Sequence, residues 1–205
     1  MNDGYREILD SIASDSPTPG GGSVAALCLA HGHSLAAMVA RLTVASEKWS
    51  DGHEIASEVI ERSDEAISDS LALADRDADA FDSVMAAYRM PKDDTSRQSR
   101  SDAIRKATIG AAIVPLETLI SASELIHLLL DLSLACNRNA LTDLASSAEL
   151  AHTAARMAEM NVRVNTDYLE GEDVDEIEHR ANEAMGRCNV ALEDVRASFR
   201  SRLGW

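Results

Sequence analysis

A glycine-rich turn that opens onto a long apolar segment is the stretch of this sequence best suited to bind a ligand. Residues 16–26 read Ser-Pro-Thr-Pro-Gly-Gly-Gly-Ser-Val-Ala-Ala. Glycines let a ligand approach the backbone, and the first turn of a helix has free N–H groups and a dipole that favour anions. Ser23 or the residue before it could cap that turn. Because no Gly-Lys-Ser/Thr follows, the stretch is not a Walker loop. We expect the ligand-binding residues of this turn to be Gly20, Gly21, Gly22 and Ser23. The alternative is a loop that only needs a flexible backbone.

Two pairs of asparagines could orient a polar, planar ligand. Asn161 and Asn165 are four residues apart, so on a helix they share one face and present two amides. Asn137 and Asn139 lie in a polar interruption between apolar segments, where they could either orient a substrate or close a turn.

The overall composition excludes several classes of function. Lys+Arg number 19 against 35 Asp+Glu, and the net charge of −16 argues against a nucleic-acid partner, which would need clustered positive charge. The three cysteines form no CxxC pair, which favours a reducing cytoplasm over a disulfide framework. Because His31 and His33 are two residues apart and the other histidines lack ligand spacing, we expect no metal site. No signal peptide or uncharged apolar run of about 18 residues is recognisable, so we expect neither export nor a membrane-spanning segment.

The elements that must position these side chains are predicted to be helices. Apolar residues recur at three- and four-residue steps and no alternating strand pattern occurs, so we expect an all-α fold in which residues 1–205 form a single domain. A bundle of about five to six long helices is expected, and such elongated helices often associate. Pro115 should kink or break its helix, because proline removes an amide donor. The predicted helices cover about 23–44, 54–90, 95–114, 116–134, 142–162 and 173–199.

Six stretches, taken in order, resemble one enzyme family. They are residues 17–26, 38–43, 77–81 with 90–92, Arg100 with 114–116, 137–143 and 161–165. This pattern resembles the cyclodeaminase/cyclohydrolase family, which comprises the C-terminal half of formiminotransferase-cyclodeaminase and the stand-alone methenyltetrahydrofolate cyclohydrolases. Two departures stand out: residues 44–49 retain only one lysine where the family has a lysine-rich run, and Cys136 replaces the usual glycine.

The resemblance implies an all-helical homodimer with a folate-binding cleft near the subunit contact. Members of the family act on one-carbon units carried by tetrahydrofolate, without a metal or redox cofactor. The expected reaction is hydrolysis of 5,10-methenyltetrahydrofolate to 10-formyltetrahydrofolate, because the chain lacks an attached transferase domain. Formiminotetrahydrofolate cyclodeaminase, which releases ammonia and forms the methenyl compound, is the alternative. A helical interaction module without catalysis is an alternative of another class.

The resemblance also assigns roles to individual residues. Asp143 is the first candidate for the general base or cation stabiliser and Asp77 the second, since both reactions pass through a positively charged methenyl bridge. From the residues alone, Asp143 could equally cap a helix, and Asp77 could belong to a solvated face. The asparagines would orient the pterin, and the candidates for the folate carboxylates are Lys48, Lys92 and Arg100.

Overall fold

Residues 3–205, the part of the chain that the computed structural model describes, form six α-helices and contain no strand. The predicted all-helical class is therefore confirmed. A short N-terminal helix was not predicted. The helices are α1 (Asp3–Ile12), α2 (Gly21–Val44), α3 (His53–Tyr88), α4 (Arg97–Ala135), α5 (Leu141–Thr166) and α6 (Glu172–Leu203), with 3₁₀ turns at Glu47–Gly52 and Arg138–Ala140.

Helix α2 lies at the centre of the bundle, as its many small residues predict. Alanines such as Ala25, Ala26 and Ala36 are fully buried, and α2 packs against both α3 and α5. Small side chains let neighbouring helices approach closely, so three helices can meet along one axis. One continuous set of buried apolar residues then extends from α2 through α4, α5 and α6.

Two helices of the bundle are long and apolar enough to cross a membrane. The most apolar windows of α2 and α4 have mean hydropathies of 1.5 and 1.6, and 61% of each window is buried inside the bundle. A helix buried in the core of a protein can have the same length and apolar composition as a helix that spans a membrane. The expectation of no membrane-spanning segment thus stays a prediction.

Helix α4 runs through Pro115 as one assigned helix of 39 residues. Of the two predicted outcomes, the break at this proline is therefore wrong, and the kink stays a prediction. Apolar residues on both sides of Pro115, such as Ala112 and Leu119, are fully buried in the same core. Burial of this kind stabilises a helix through packing, and it offsets the single hydrogen bond that proline removes.

Paired charges link the helices that surround α2. Arg76 of α3 donates to both carboxylate oxygens of Glu117 in α4 at 2.6 and 3.1 Å. Arg105 of α4 donates to Asp173 at the start of α6 at 2.8 and 2.7 Å, and this guanidinium holds the pKa of Asp173 down at about 2. Bidentate pairs of this kind fix orientation as well as proximity.

Candidate functional site

A cavity of ≈ 360 Å³ lies where the glycine-rich turn meets α3, α4 and α5. Its volume falls within the range of small-molecule sites. We call this cavity the glycine pocket. It is lined by Pro17, Thr18, Gly20, Gly21, Gly22, Asp77, Phe81, Val84, Ala111, Asn161, Val164 and Asn165.

The glycine pocket contains a single ionisable side chain among its lining residues within the described chain, the carboxylate of Asp77. This carboxylate sits directly against Gly22, where a Cβ atom would overlap both carboxylate oxygens. Gly22 belongs to the first turn of α2, whose N–H groups have no acceptor within the helix. The anion that this helix N-terminus favours is thus supplied by α3 of the protein itself.

Ser23 has a different role from the predicted cap. The helix begins at Gly21 with Gly20 as its N-cap residue, and no side chain forms a capping hydrogen bond there. The buried hydroxyl of Ser23 lies 3.0 Å from the carbonyl oxygen of Ala74 and 3.1 Å from Oδ2 of Asp77. Ser23 therefore contacts the carboxylate of Asp77 and does not line the glycine pocket, and its predicted contact with a ligand stays a prediction.

The pKa of Asp77 is raised above its ordinary value because burial disfavours the charged form. Hydrogen bonds from the side chain and backbone of Ser23 act in the opposite direction and lower that pKa. A carboxylate whose pKa is raised accepts a proton more readily than an exposed aspartate. Asp77 can therefore both stabilise a positive charge and take up a proton.

The two asparagines of α5 face the same pocket, as their spacing predicts. Nδ2 of Asn161 donates to the carbonyl oxygen of Met157 at 2.8 Å, and a Cβ atom at Gly21 would lie 3.7 Å from this nitrogen. Nδ2 of Asn165 donates to the carbonyl oxygens of Ala111 at 3.0 Å and of Asn161 at 2.8 Å. Backbone acceptors thus hold both amide nitrogens, which leaves the amide oxygens to accept from a ligand.

Asn137 and Asn139 lie at the opposite end of α2 from the glycine pocket. The backbone and side-chain nitrogens of Asn137 donate to Thr43 Oγ1 and the Leu42 carbonyl at 3.0 and 3.2 Å, and its Oδ1 accepts from the Asn139 backbone at 3.0 Å. These bonds close the turn between α4 and α5 onto the end of α2. The structure therefore supports the turn-closing alternative for this pair.

Asp143 and Lys48 are also placed away from the glycine pocket within one subunit. Asp143 lies in the first turn of α5, eighteen residues before Asn161, which corresponds to about 27 Å along the helix. It is not the N-cap, which is Ala140. Lys48 lies in the 3₁₀ turn that follows α2, with its ammonium group 4.9 Å from the ring centre of Trp49. Asp77 and Asp143, the two candidate catalytic carboxylates, therefore do not share one pocket within a single chain.

Lys92 and Arg100 lie where α3 ends and α4 begins, and neither lines the glycine pocket. Nη2 of Arg100 donates to the Tyr88 carbonyl oxygen at 3.0 Å, and the guanidinium lies 5.8 Å from the centre of the Tyr88 ring. Tyr88 follows Val84, a wall residue of the pocket, by one helical turn of about 6 Å. Lys92 is exposed in the segment between the two helices.

The sequence analysis missed the apolar wall of the pocket. Val84, Ala111 and Val164 carry no chemical group that would single them out. Ala111 did have a signal, because it precedes Pro115 by four residues and its carbonyl therefore loses its helical donor. No group of three or more His, Cys, Asp or Glu residues placed to hold a metal ion occurs in residues 3–205.

The fold and the pocket define an all-helical protein with an acidic, amide-lined site for a small ligand. Comparison with known proteins identifies the family. The sequence model of formiminotransferase-cyclodeaminase matches residues 4–183, and the chain belongs to that family. The resemblance in the sequence motifs is thereby confirmed.

Three relatives illustrate the range of the family. The chain is 33% identical over 170 residues to methenyltetrahydrofolate cyclohydrolase of Methylorubrum extorquens, covering 82% of both proteins. It is 28% identical over 199 residues to formimidoyltransferase-cyclodeaminase of Rattus norvegicus, covering 96% of this chain and 37% of that protein. The crystal structure of formiminotetrahydrofolate cyclodeaminase from Thermotoga maritima matches with a TM-score of 0.89 and 25% identity, covering 100% and 98% of the two chains.

Proposed function

We propose that this chain is a one-carbon folate enzyme that hydrolyses 5,10-methenyltetrahydrofolate to 10-formyltetrahydrofolate. The observation that carries the proposal is the glycine pocket, in which a half-buried carboxylate faces two fixed amides. The similarity to a cyclohydrolase over 82% of both chains supports the same reaction. The methenyl bridge is a delocalised cation between two nitrogens, and a carboxylate is the group that stabilises such a charge.

In the proposed mechanism, water adds to the carbon of the methenyl bridge while Asp77 accepts a proton from that water. The carbon–nitrogen bond to one folate nitrogen then breaks, and this nitrogen takes up the proton held by Asp77. The hydroxyl group of the adduct releases its remaining proton to solvent as the formyl group forms on the other nitrogen. The raised pKa of Asp77 suits this transfer, because a catalytic group works best when its pKa approaches the working pH. The steps require no metal or redox cofactor, and we propose that the enzyme uses none.

The remainder of the folate would extend along α3 toward Lys92 and Arg100. Tyr88, whose carbonyl oxygen accepts from Arg100, lies one helical turn beyond Val84, and Lys92 follows in the segment after α3, so a tail leaving the pocket along α3 would approach positive charge. We propose that these two residues bind the glutamate carboxylates. Lys48 lies at the far end of α2 and does not serve this role within the same subunit.

Formiminotetrahydrofolate cyclodeaminase is the second candidate. The specific observation in its favour is the match over the full chain to the Thermotoga maritima protein of that name. The cyclodeaminase reaction passes through the same methenyl species, so the same carboxylate would serve it. The two activities are separated by measuring loss of the methenyl chromophore and its formation from the formimino compound on one preparation.

The decisive test of the site is Asp77→Asn, which keeps the shape of the side chain and removes its charge. We expect a loss of about 10²-fold or more in kcat. Asp79→Asn is the matched control, because Asp79 lies on the same helix with its side chain exposed to solvent. Turnover of neither folate by the native protein would contradict the enzymatic proposal and favour a helical interaction module.

We further propose a homodimer that completes the site. Apolar side chains of α1, among them Tyr5, Ile8 and Leu9, are roughly half exposed and share an apolar cavity of ≈ 410 Å³ with α2 and α3. A second copy of the chain would cover this face. A partner subunit could also bring its own Asp143 toward the glycine pocket, as the family motifs suggest.

Subunit complementation tests the shared site. Asp77→Asn chains and Asp143→Asn chains are prepared separately. They are then mixed under conditions that allow subunit exchange, and methenyl turnover is assayed. If each site uses Asp77 from one subunit and Asp143 from the other, mixed dimers contain one intact site and activity returns. Full activity of Asp143→Asn alone would show that Asp143 has no catalytic role.

We also propose a cytoplasmic location, which the three free cysteines favour.

A further inference from the structure

Asn165 is held by two backbone carbonyls that come from different helices. Its Nδ2 donates to the carbonyl oxygen of Asn161 in its own helix at 2.8 Å and to that of Ala111 in α4 at 3.0 Å. Because both carbonyl oxygens are acceptors, the amide nitrogen and not the amide oxygen must face them. The orientation of the Asn165 side chain is therefore determined. Oδ1 of Asn165 is left as an acceptor, and the residue lines the glycine pocket.

The carbonyl of Ala111 is available to Asn165 because of Pro115. In a regular helix this carbonyl would accept from the N–H group four residues later, and proline has none. Ala111 and Pro115 are both buried. A buried carbonyl without a donor is costly, and the side chain of Asn165 removes that cost.

We propose that Pro115 is a positioning residue for substrate binding. By withholding its own amide, it reserves the Ala111 carbonyl for Asn165 and fixes Oδ1 of Asn165 toward the glycine pocket. There Oδ1 accepts a hydrogen bond from an N–H donor on the edge of the pterin. This inference rests on the proposed function for the identity of the ligand, whereas the link between Pro115 and Asn165 is independent of it.

Pro115→Ala is the central test. The new N–H group at position 115 also donates to the Ala111 carbonyl, so Asn165 must share this acceptor and one of its two anchors is weakened. Because alanine favours a helix far more than proline does, we expect the melting temperature to stay the same or rise. We expect kcat/KM to fall by about 3- to 10-fold, mainly through KM, as for the loss of one neutral hydrogen bond. A merely structural role for Pro115 would move stability and activity in the same direction.

A double-mutant cycle tests the link without any assay of activity. Asn165→Leu leaves the Ala111 carbonyl buried without a donor, so we expect a lowered melting temperature. In the Pro115→Ala background the new N–H group supplies that donor, and Asn165→Leu should then cost much less. Activity should stay low in both Asn165→Leu variants, since neither has the amide oxygen.

The outcomes separate this inference from the proposed function. An equal stability loss on Asn165→Leu in both backgrounds overturns the link, whatever the enzyme does. A kcat/KM for Pro115→Ala within about twofold of the native value overturns the positioning role. If the native protein turns over no folate while the stability cycle shows coupling, the proposed function fails and the structural link stands.

Discussion

Gly22→Ala is the substitution that most directly tests the contact between α2 and Asp77. A Cβ atom at position 22 would overlap the carboxylate of Asp77, which is half buried and tied to Ser23. Either the carboxylate moves away or the first turn of α2 shifts. Both changes take the charge of Asp77 from its place at the helix N-terminus.

The size of the effect follows from two opposing contributions. Alanine is favoured over glycine inside a helix by about 0.5–1 kcal/mol, and overpacking costs about 1–3 kcal/mol. We therefore expect a net loss of about 1–2 kcal/mol in the free energy of unfolding. For a chain of this length that corresponds to a fall of about 2–8 °C in melting temperature. A displacement of about 1 Å at a reacting group can reduce the rate by about 10²-fold.

The assay compares thermal unfolding and methenyl turnover in four variants: Gly22→Ala, Gly186→Ala, Asp77→Ala and the Asp77→Ala/Gly22→Ala double variant. Gly186→Ala is the matched control, because a Cβ atom there meets nothing within 4 Å in the middle of α6. It should raise stability slightly and leave the rate unchanged. In an Asp77→Ala background, Gly22→Ala should no longer destabilise the protein, since the overlapping carboxylate is gone. Native-like activity of Gly22→Ala would refute the placement of Asp77 as the reacting group.

Three further predictions concern the site and the framework that holds it. Ser23→Ala removes the hydroxyl hydrogen bond that lowers the pKa of Asp77 and keeps the backbone one, so the acidic limb of the pH profile of kcat/KM should move to higher pH. No movement would exclude Asp77 as the group that must be ionised. Arg105→Ala should destabilise the protein at pH values above 3.8, the ordinary pKa of an aspartate. The difference in melting temperature between this variant and the native protein should shrink as the pH falls toward 2, because the ion pair with Asp173 is lost when that carboxylate protonates. Gly52→Ala should lower the free energy of unfolding by about 1–3 kcal/mol in denaturant titrations, since its Cβ atom would lie 2.6 Å from the Ala135 carbonyl oxygen; an unchanged midpoint would contradict that close approach.

The helices could be predicted from the sequence because their apolar spacing is regular over many turns. The last helix was predicted at 173–199 and is observed at Glu172–Leu203. Helix α1 was missed even though Tyr5, Ile8, Leu9 and Ile12 have helical spacing. Ten residues give too few turns for the periodicity to stand out. Pro115 misled the prediction because packing on both sides, which the sequence does not reveal, keeps the helix intact.

The candidate site was predictable in its parts and not in its arrangement. The glycines and the pair Asn161 and Asn165 were found from residue type and spacing. Which of the two aspartates lies in the glycine pocket could not be predicted, because that depends on the direction in which the helices pack. Asn161, near the end of α5, meets Gly21 at the start of α2, so the two helices run antiparallel and Asp143 falls at the far end.

In the proposed binding mode, the charge of Asp77 determines how a folate lies in the glycine pocket. The N-terminus of α2 would attract an anionic group of a ligand, but the protein already places a carboxylate there. A second anion at that point would be repelled, so in the proposed binding mode the glutamate tail binds elsewhere, at Lys92 between α3 and α4 and at Arg100 of α4. The cationic bridge is the one part of the substrate that complements Asp77. In the proposed mechanism, this one half-buried carboxylate therefore sets both the orientation of the ligand and the place at which water attacks.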